Sequence, residues 1–199
     1  MAFSTTYLLT LDLVKGCRNS QKGISHELGL ATSLGGLLFG KLALNPKLEV
    51  LENESERGKL LNKAWNRYNA VNAVSVSTAI ATWLPGRSSI SANLSLDKEA
   101  NNLVLIKDAL LATAAATGLA SIISGLQLTR QAPEGAVPID SGVSPAPEMS
   151  DEAARLLRRG NVLGNVNIAV LASVIAVSTI LLMKANESVR WSLLSRLLP

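Results

Sequence analysis

Residues 160–183 read GNVLGNVNIAVLASVIAVSTILLM, a run without a single charged side chain. A soluble helix of this length would place charges on its solvent face, and about 20 apolar residues suffice to cross a hydrocarbon core, so the run reads as a transmembrane helix. Three more runs are nearly free of charge: 23–40, where only Glu27 is charged, 68–86 and 109–129. The 48% hydrophobic content and the positive mean hydropathy fit the same class. The expected fold is all-α: one membrane domain over 1–199, an integral bundle of four transmembrane helices at about 24–44, 66–84, 104–128 and 161–183. The second span is the least apolar, and its asparagines and serines must turn toward other helices or water.

Amphipathic interfacial helices are expected at both termini, at about 2–15 and 187–198. In the first, Phe3, Tyr7, Leu8, Leu11 and Val14 can face lipid; Asp12 and the lack of a preceding basic residue argue against a secretory signal. In the last, Trp191, Arg190 and Arg196 suit an anionic head-group layer. Between the spans, Asn45-Pro46 should close the first, Ser55 should cap the second helix, Pro85-Gly86 should stop it, and 87–96 should be a polar loop. Ser95 or Asp97 can cap the third helix, and Ser150 with Asp151 and Glu152 the fourth. The Pro/Gly/Ser-rich stretch 131–149 reads as an extended linker without a core of its own.

Four spans leave both termini on one side of a multi-pass cell-membrane protein. Lys15, Arg18 and Lys22 beside the first span favour the cytoplasm. One cysteine, Cys17, excludes an intrachain disulfide and a cysteine metal cluster. The net charge of +4 needs no explanation beyond span-flanking residues, and with aromatics at 4% no basic, aromatic-laced stripe exists for nucleic acid. No phosphate loop, dinucleotide fingerprint, GxSxG or HExxH occurs, so neither a bound nucleotide nor hydrolytic chemistry is expected, and the reading leans away from an enzyme.

Small residues repeat at helical spacing. Gly29, Gly36 and Gly40 in the first span and Ala116 and Ala120 in the third, within the row Ala112, Ala116, Ala120, read as faces for close helix packing. Polar residues mark two other places. His26, the only histidine, and Glu27 lie at one membrane boundary with Lys107 and Asp108, a candidate ligand site or polar cluster. Adjacent residues diverge by about 100° on a helix, so His26 and Glu27 cannot both meet one ligand unaided. A single axial histidine leaves a haem or chlorophyll-type pigment possible, whereas a metal ion would need ligands from another molecule. At the opposite boundary Asn69, Asn72, Asn161 and Asn165 form a candidate polar interior; Asn161 and Asn165 share a stripe with Ala172, Ala176 and Thr179.

The order His26, six residues, Ser33, Leu34, Gly35, Gly36 resembles the first-helix pattern "histidine, six residues, Trp, any residue, Gly-Gly" of small bacterial four-helix membrane proteins, including uncharacterised families and copper-resistance D type domains. Ser33 stands where the pattern has tryptophan, and the resemblance covers one helix of four. It implies a bacterial inner-membrane bundle and a link to copper or redox chemistry. The functional expectation is a non-catalytic membrane protein in contact with the lipid bilayer, forming a homo-oligomer or an accessory subunit of a membrane complex through its small-residue faces. The alternatives are a redox, metal or pigment protein with His26 as axial ligand, and a small transporter or channel component.

Overall fold

The computed structural model describes the backbone of residues 3–93 and 98–197 and the side chains of residues 21–87 and 98–185. Four long helices carry the chain: α1 (Phe3–Phe39), α2 (Glu54–Asn93), α3 (Lys98–Thr129) and α4 (Asp151–Leu197). The faces expected on the interfacial helices at 2–15 and 187–198, and the cap at Ser95 or Asp97, lie outside the described residues. Neighbours in sequence are neighbours in space. α1 packs along α2 and α3 along α4, and contacts of α2 with α3 and of α1 with α4 close the ring.

Gln21–Val50, α3 and the Asp151–Ala185 part of α4 are long and apolar enough to cross a membrane. α2 is long enough, but Asn66, Asn69, Asn72 and its serines dilute the apolar run, and it does not join these three. Two of these polar groups turn fully inward, Asn72 and Ser75, while Asn66 and Asn69 are half-buried and Ser77 is exposed.

Proline punctuates the helices differently from the expectation. Beyond Phe39 the chain stays helical through a π-helical turn (Gly40–Leu44), one α-helical turn (Asn45–Lys47) and a 3-10 turn (Leu48–Val50), so Asn45-Pro46 does not close the first helix. Pro46 has no N–H to donate and its ring crowds the carbonyl four residues back; a wide turn immediately before it relieves that conflict. Likewise α2 runs through Pro85 to Asn93, which corrects the stop at Pro85-Gly86 and the 87–93 part of the expected loop. Buried Trp83 before the proline and ion-paired Arg87 after it anchor the helix on either side of the lost hydrogen bond. The cap of α2 is Asn53 instead of Ser55: Asn53 Oδ1 accepts from the N–H groups of Ser55 (2.9 Å) and Glu56 (3.2 Å). Ser150 caps α4, its Oγ accepting from the Ala153 N–H at 3.3 Å.

Two apolar cores stack along the bundle. The first lies between the helices and contains Leu30, Leu37, Ala79, Trp83, Leu111, Leu171 and Val174. The second closes one end, where Leu48, Leu61, Leu128 and Leu157 meet Val137, Ile139 and Met149 from the α3–α4 connection. The expected coreless linker is therefore a docked cap. Ile139 is 0% exposed, and burying a side chain of this kind is worth roughly 1.5–3 kcal/mol, enough to hold an irregular segment in place. A tight turn bridges Ile139 to Pro145, with Asp140 N–H donating to Ser144 O at 3.1 Å. Arg57 of α2 clamps this turn by donating to Asp140 O at 2.8 Å.

The α1–α2 seam explains three glycines. Gly29 faces Ser75 O and the Ala79 backbone, Gly36 the Tyr68 ring, and Gly40 the Trp65 ring. A Cβ on Gly36 would lie 2.0 Å from Tyr68 Cε2, so only glycine permits this approach. On α3 the inward face is Val104, Lys107, Leu111, Ala114 and Gly118; Ala112 and Ala116 are exposed and Ala120 is half-buried, so the small-residue row faces out of the bundle and makes no seam within it. α4 buries Leu157, Gly164, Asn167, Leu171, Val174, Ser178 and Leu181, a near-3.5-residue repeat suited to helices crossing at a shallow angle. That repeat turns Asn165, Ala172, Ala176 and Thr179 outward, where they are exposed, correcting the stripe assigned to the interior.

Candidate functional site

The bundle has polar groups at two levels. At the first level, in the C-terminal half of α1, one helical turn in α2 and one in α3 converge on His26, which is 5% exposed. His26 Nδ1 lies 2.7 Å from Ala79 O, so Nδ1 carries the proton and donates it. Nε2 is left as a bare, buried nitrogen without a protein partner. The Trp83 ring lies 6.0 Å from the imidazole, and Lys107 Nζ sits 3.9 Å from the Trp83 centroid in a cation–π contact. The Trp83 indole donates to Asp108 Oδ1 at 2.7 Å, and Arg87 Nε meets Asp108 Oδ2 at 2.7 Å.

The structure thus brings His26, Lys107 and Asp108 around Trp83, and Glu27, exposed on α1, lies within electrostatic reach of Lys107. Among the described residues no three His, Cys, Asp or Glu side chains converge, so this level offers one nitrogen ligand and no metal cage.

The second level lies between the two apolar cores. A cavity of about 90 Å³ is bordered there by Asn45, Asn62, Asn69, Asn72, Asn161 and Asn167, with Lys41 at its side and Gly118 and Gly164 on its helical walls. Each element contributes for a local reason. The π-helical turn carries Lys41, whose ammonium donates to Asn161 O (3.0 Å) and Asn161 Oδ1 (2.7 Å). Asn45 Nδ2 and Asn161 Nδ2 both donate to Gly142 O in the cap, at 3.4 and 3.3 Å, and Asn62 Nδ2 donates to Gly135 O at 2.7 Å. The Trp65 indole donates to Asn45 Oδ1 at 3.1 Å. Deeper in, the Ser33 hydroxyl donates to Asn72 Oδ1, and Tyr68 donates to Ser33 O at 2.5 Å. Asn167 is 2% exposed and its Oδ1 has no partner.

Of the expected interior asparagines, Asn69, Asn72 and Asn161 border the cavity and Asn165 does not. Lys41, Asn45, Asn62 and Asn167 complete it. Lys41 and Asn45 follow Gly40 at a span boundary and read from sequence as edge residues. Asn167 carries a usable signal, because Asn161, Gly164 and Asn167 recur at intervals of three along the buried face. Arg87 joins the histidine level only because α2 continues past Pro85, and Trp83 because it lies on the buried face of α2 just before it.

The chain matches no family model, no curated protein and no solved structure, so residue roles rest on this geometry. Chemically, the histidine level offers one free nitrogen lone pair. The asparagine level offers amides and a cation to a small polar molecule.

Proposed function

We propose that the chain is a bacterial inner-membrane protein of four spans, α2 being the fourth, with cytoplasmic termini, acting without catalysis as a subunit of a membrane assembly. The observation that supports this is the outer face of α2, where Ala70, Ala73, Ser77 and Ala81 are exposed. Their spacing repeats the kind of small-residue row through which α1 approaches α2 inside the bundle. Lipid tails gain little from alanine and serine, whereas a second helix, from another copy or another subunit, can approach closely along such a row. Native mass spectrometry of mildly solubilised membranes is expected to give a homo-oligomer or a defined complex that Ser77→Phe disperses without loss of helix content. A lone wild-type monomer would refute the reading. Orientation is tested separately, by an impermeant thiol reagent: labelling of Cys17 in intact cells would reverse it.

A second reading, a pigment or haem protein, draws on the unpaired, buried Nε2 of His26, the atom an axial ligand uses. The purified protein would then show a visible or Soret band that His26→Ala abolishes; a colourless preparation from native membranes counts against it.

A further inference from the structure

We infer that the outward face of α4 pairs with the same face of a second copy of the chain, Asn165 bonding to its own counterpart across a two-fold axis. This contact is separate from the one on the outer face of α2 and requires only that α4 cross the membrane.

Two independent observations meet on this face, and the first is a seam. Asn165, Ala169, Ala172, Ala176, Thr179 and Met183 are all exposed, and they follow one another at spacings of four, three, four, three and four. That is the repeat by which helices wrap around each other at a shallow angle. The inward face of α4 keeps the same repeat from Gly164 to Leu181, where it packs against α3 and α1. The outward row lies roughly 150° around the axis from it, at about 3.5 residues per turn. α4 thus carries two seams on opposite sides, and the chain itself fills one. Three alanines at the centre of the other let a second backbone approach to about 8 Å.

The second observation is an unanswered amide. The uncharged run 160–183 centres near Ala172, so Asn165 lies about 10 Å from the middle of a hydrocarbon core whose half-thickness is about 15 Å. Among the described residues nothing bonds to its side chain. Every described hydroxyl of α4, by contrast, is answered within the helix: Ser173 donates to Ala169 O at 2.9 Å, Ser178 to Val174 O at 2.7 Å and Thr179 to Ile175 O at 3.0 Å. An amide left open to hydrocarbon is costly.

The amide selects the occupant. It carries both a donor and an acceptor and so complements itself, and two copies inserted the same way run parallel, which sets each Asn165 opposite the other when the row meets itself. A lipid tail offers no bond, and an unrelated helix would need a polar group at that one depth. A single asparagine in a small, apolar seam is also the device that fixes register and copy number in paired helices. Toward the cap the row continues through Val162 to Arg158, which lies outside the uncharged run and can reach water and head groups.

The test is disulfide cross-linking of the full chain in membranes, with Cys17→Ser as background and one cysteine at a time at Ala169, Ala172, Ala176, Ser173 or Ile180. The three row positions should yield cross-linked pairs at least about fivefold above Ser173→Cys and Ile180→Cys, which are exposed but off the row, because a disulfide needs Cα atoms within about 7 Å. Adding Asn165→Leu to Ala172→Cys should weaken pairing about tenfold, whereas Asn165→Gln, which keeps the amide, should retain it. Ser77→Phe, which acts on the α2 contact, should leave the α4 cross-links in place, so either contact can fail without the other. All substituted α4 positions are exposed in the single chain, and the cysteine series with Asn165 intact decides by itself. Equal cross-linking at all five positions, none along the row, cross-links to a different protein, or pairing indifferent to Asn165→Leu overturns the proposal.

Discussion

The Trp83 indole N–H donates to Asp108 Oδ1 at 2.7 Å while Arg87, one turn on, takes the second oxygen of the same carboxylate, also at 2.7 Å. One acid thus ties α3 to α2 on both sides of Pro85. Trp83→Phe keeps a ring beneath Lys107 but removes the donor, and should cost about 1–2 kcal/mol. Asp108→Ala should cost more, since it removes the acceptor of Trp83 and the ion-pair partner of Arg87. Unfolding in mixed micelles measures both; equal stability of Trp83→Phe and wild type would dismiss the tie.

Gly35 and Gly36 form a matched pair on α1. Nothing lies within 4 Å of a Cβ built on Gly35, whereas one built on Gly36 enters the Tyr68 ring. Gly36→Ala should therefore destabilise by roughly 1–3 kcal/mol, as overpacking does, and loosen the bond from Tyr68 to Ser33. Gly35→Ala should be neutral or slightly stabilising through helix propensity. If the two variants unfold alike, close approach is not what these glycines serve.

The cap carries an acid-sensitive contact. Lys59 forms an ion pair with Glu134 and holds its carboxyl below the usual glutamate range. An acid lowered in the folded state stabilises above its unfolded pKa, and that contribution fades as pH falls through the folded value. Glu54 behaves oppositely. Desolvation and the neighbouring Glu148 carboxyl raise it, so its contribution is present at low pH and is lost as pH rises through its raised value. Carboxylate ¹³C titration should find Glu134 below Glu54, and Lys59→Gln should raise Glu134 toward its ordinary value, Lys63 still lowering it, without moving Glu54. An unchanged Glu134 midpoint in that variant would rule out the contact.

Gly142 touches Asn45 so closely that a Cβ would stand 2.4 Å from Asn45 Cβ. Gly142→Ala should lift the turn at 139–145 while leaving the first core intact. Limited proteolysis should then cut within 131–149 much faster than in wild type, with helix content unchanged; wild-type resistance in the variant would show that the cap tolerates the added methyl.

Charge spacing reveals the helices directly, because Asp, Glu, Lys and Arg are sparse in the runs that the helices bury or turn outward as apolar surface, Lys107 on the buried face of α3 being an exception. Rotation about each helix is less legible. Asn161 and Asn165, four apart, share a face on an isolated helix, yet shallow crossing selects a 3.5-residue repeat, so Asn167 points in and Asn165 out. The cap was hidden by its composition. Its Pro, Gly and Ser residues mask Val137, Ile139 and Met149, which have no helical or strand period because each drops into the second core from an irregular backbone. Pro85 misled for a related reason: local breaking chemistry yields when anchors on both sides, here Trp83 and Arg87, are fixed by other helices.

The π-helical turn at Gly40–Leu44 works as an indexing joint. The Asn45 N–H bonds to Gly40 O, five residues back, which inserts one extra residue into the winding. Each α-helical residue advances the direction of its side chain by about 100°, so losing that extra residue would swing everything beyond Leu44 around the axis by that angle. Asn45 would leave Gly142, and Leu48 would leave the second core. A single surplus residue thus decides whether the first helix and the distant cap face one another.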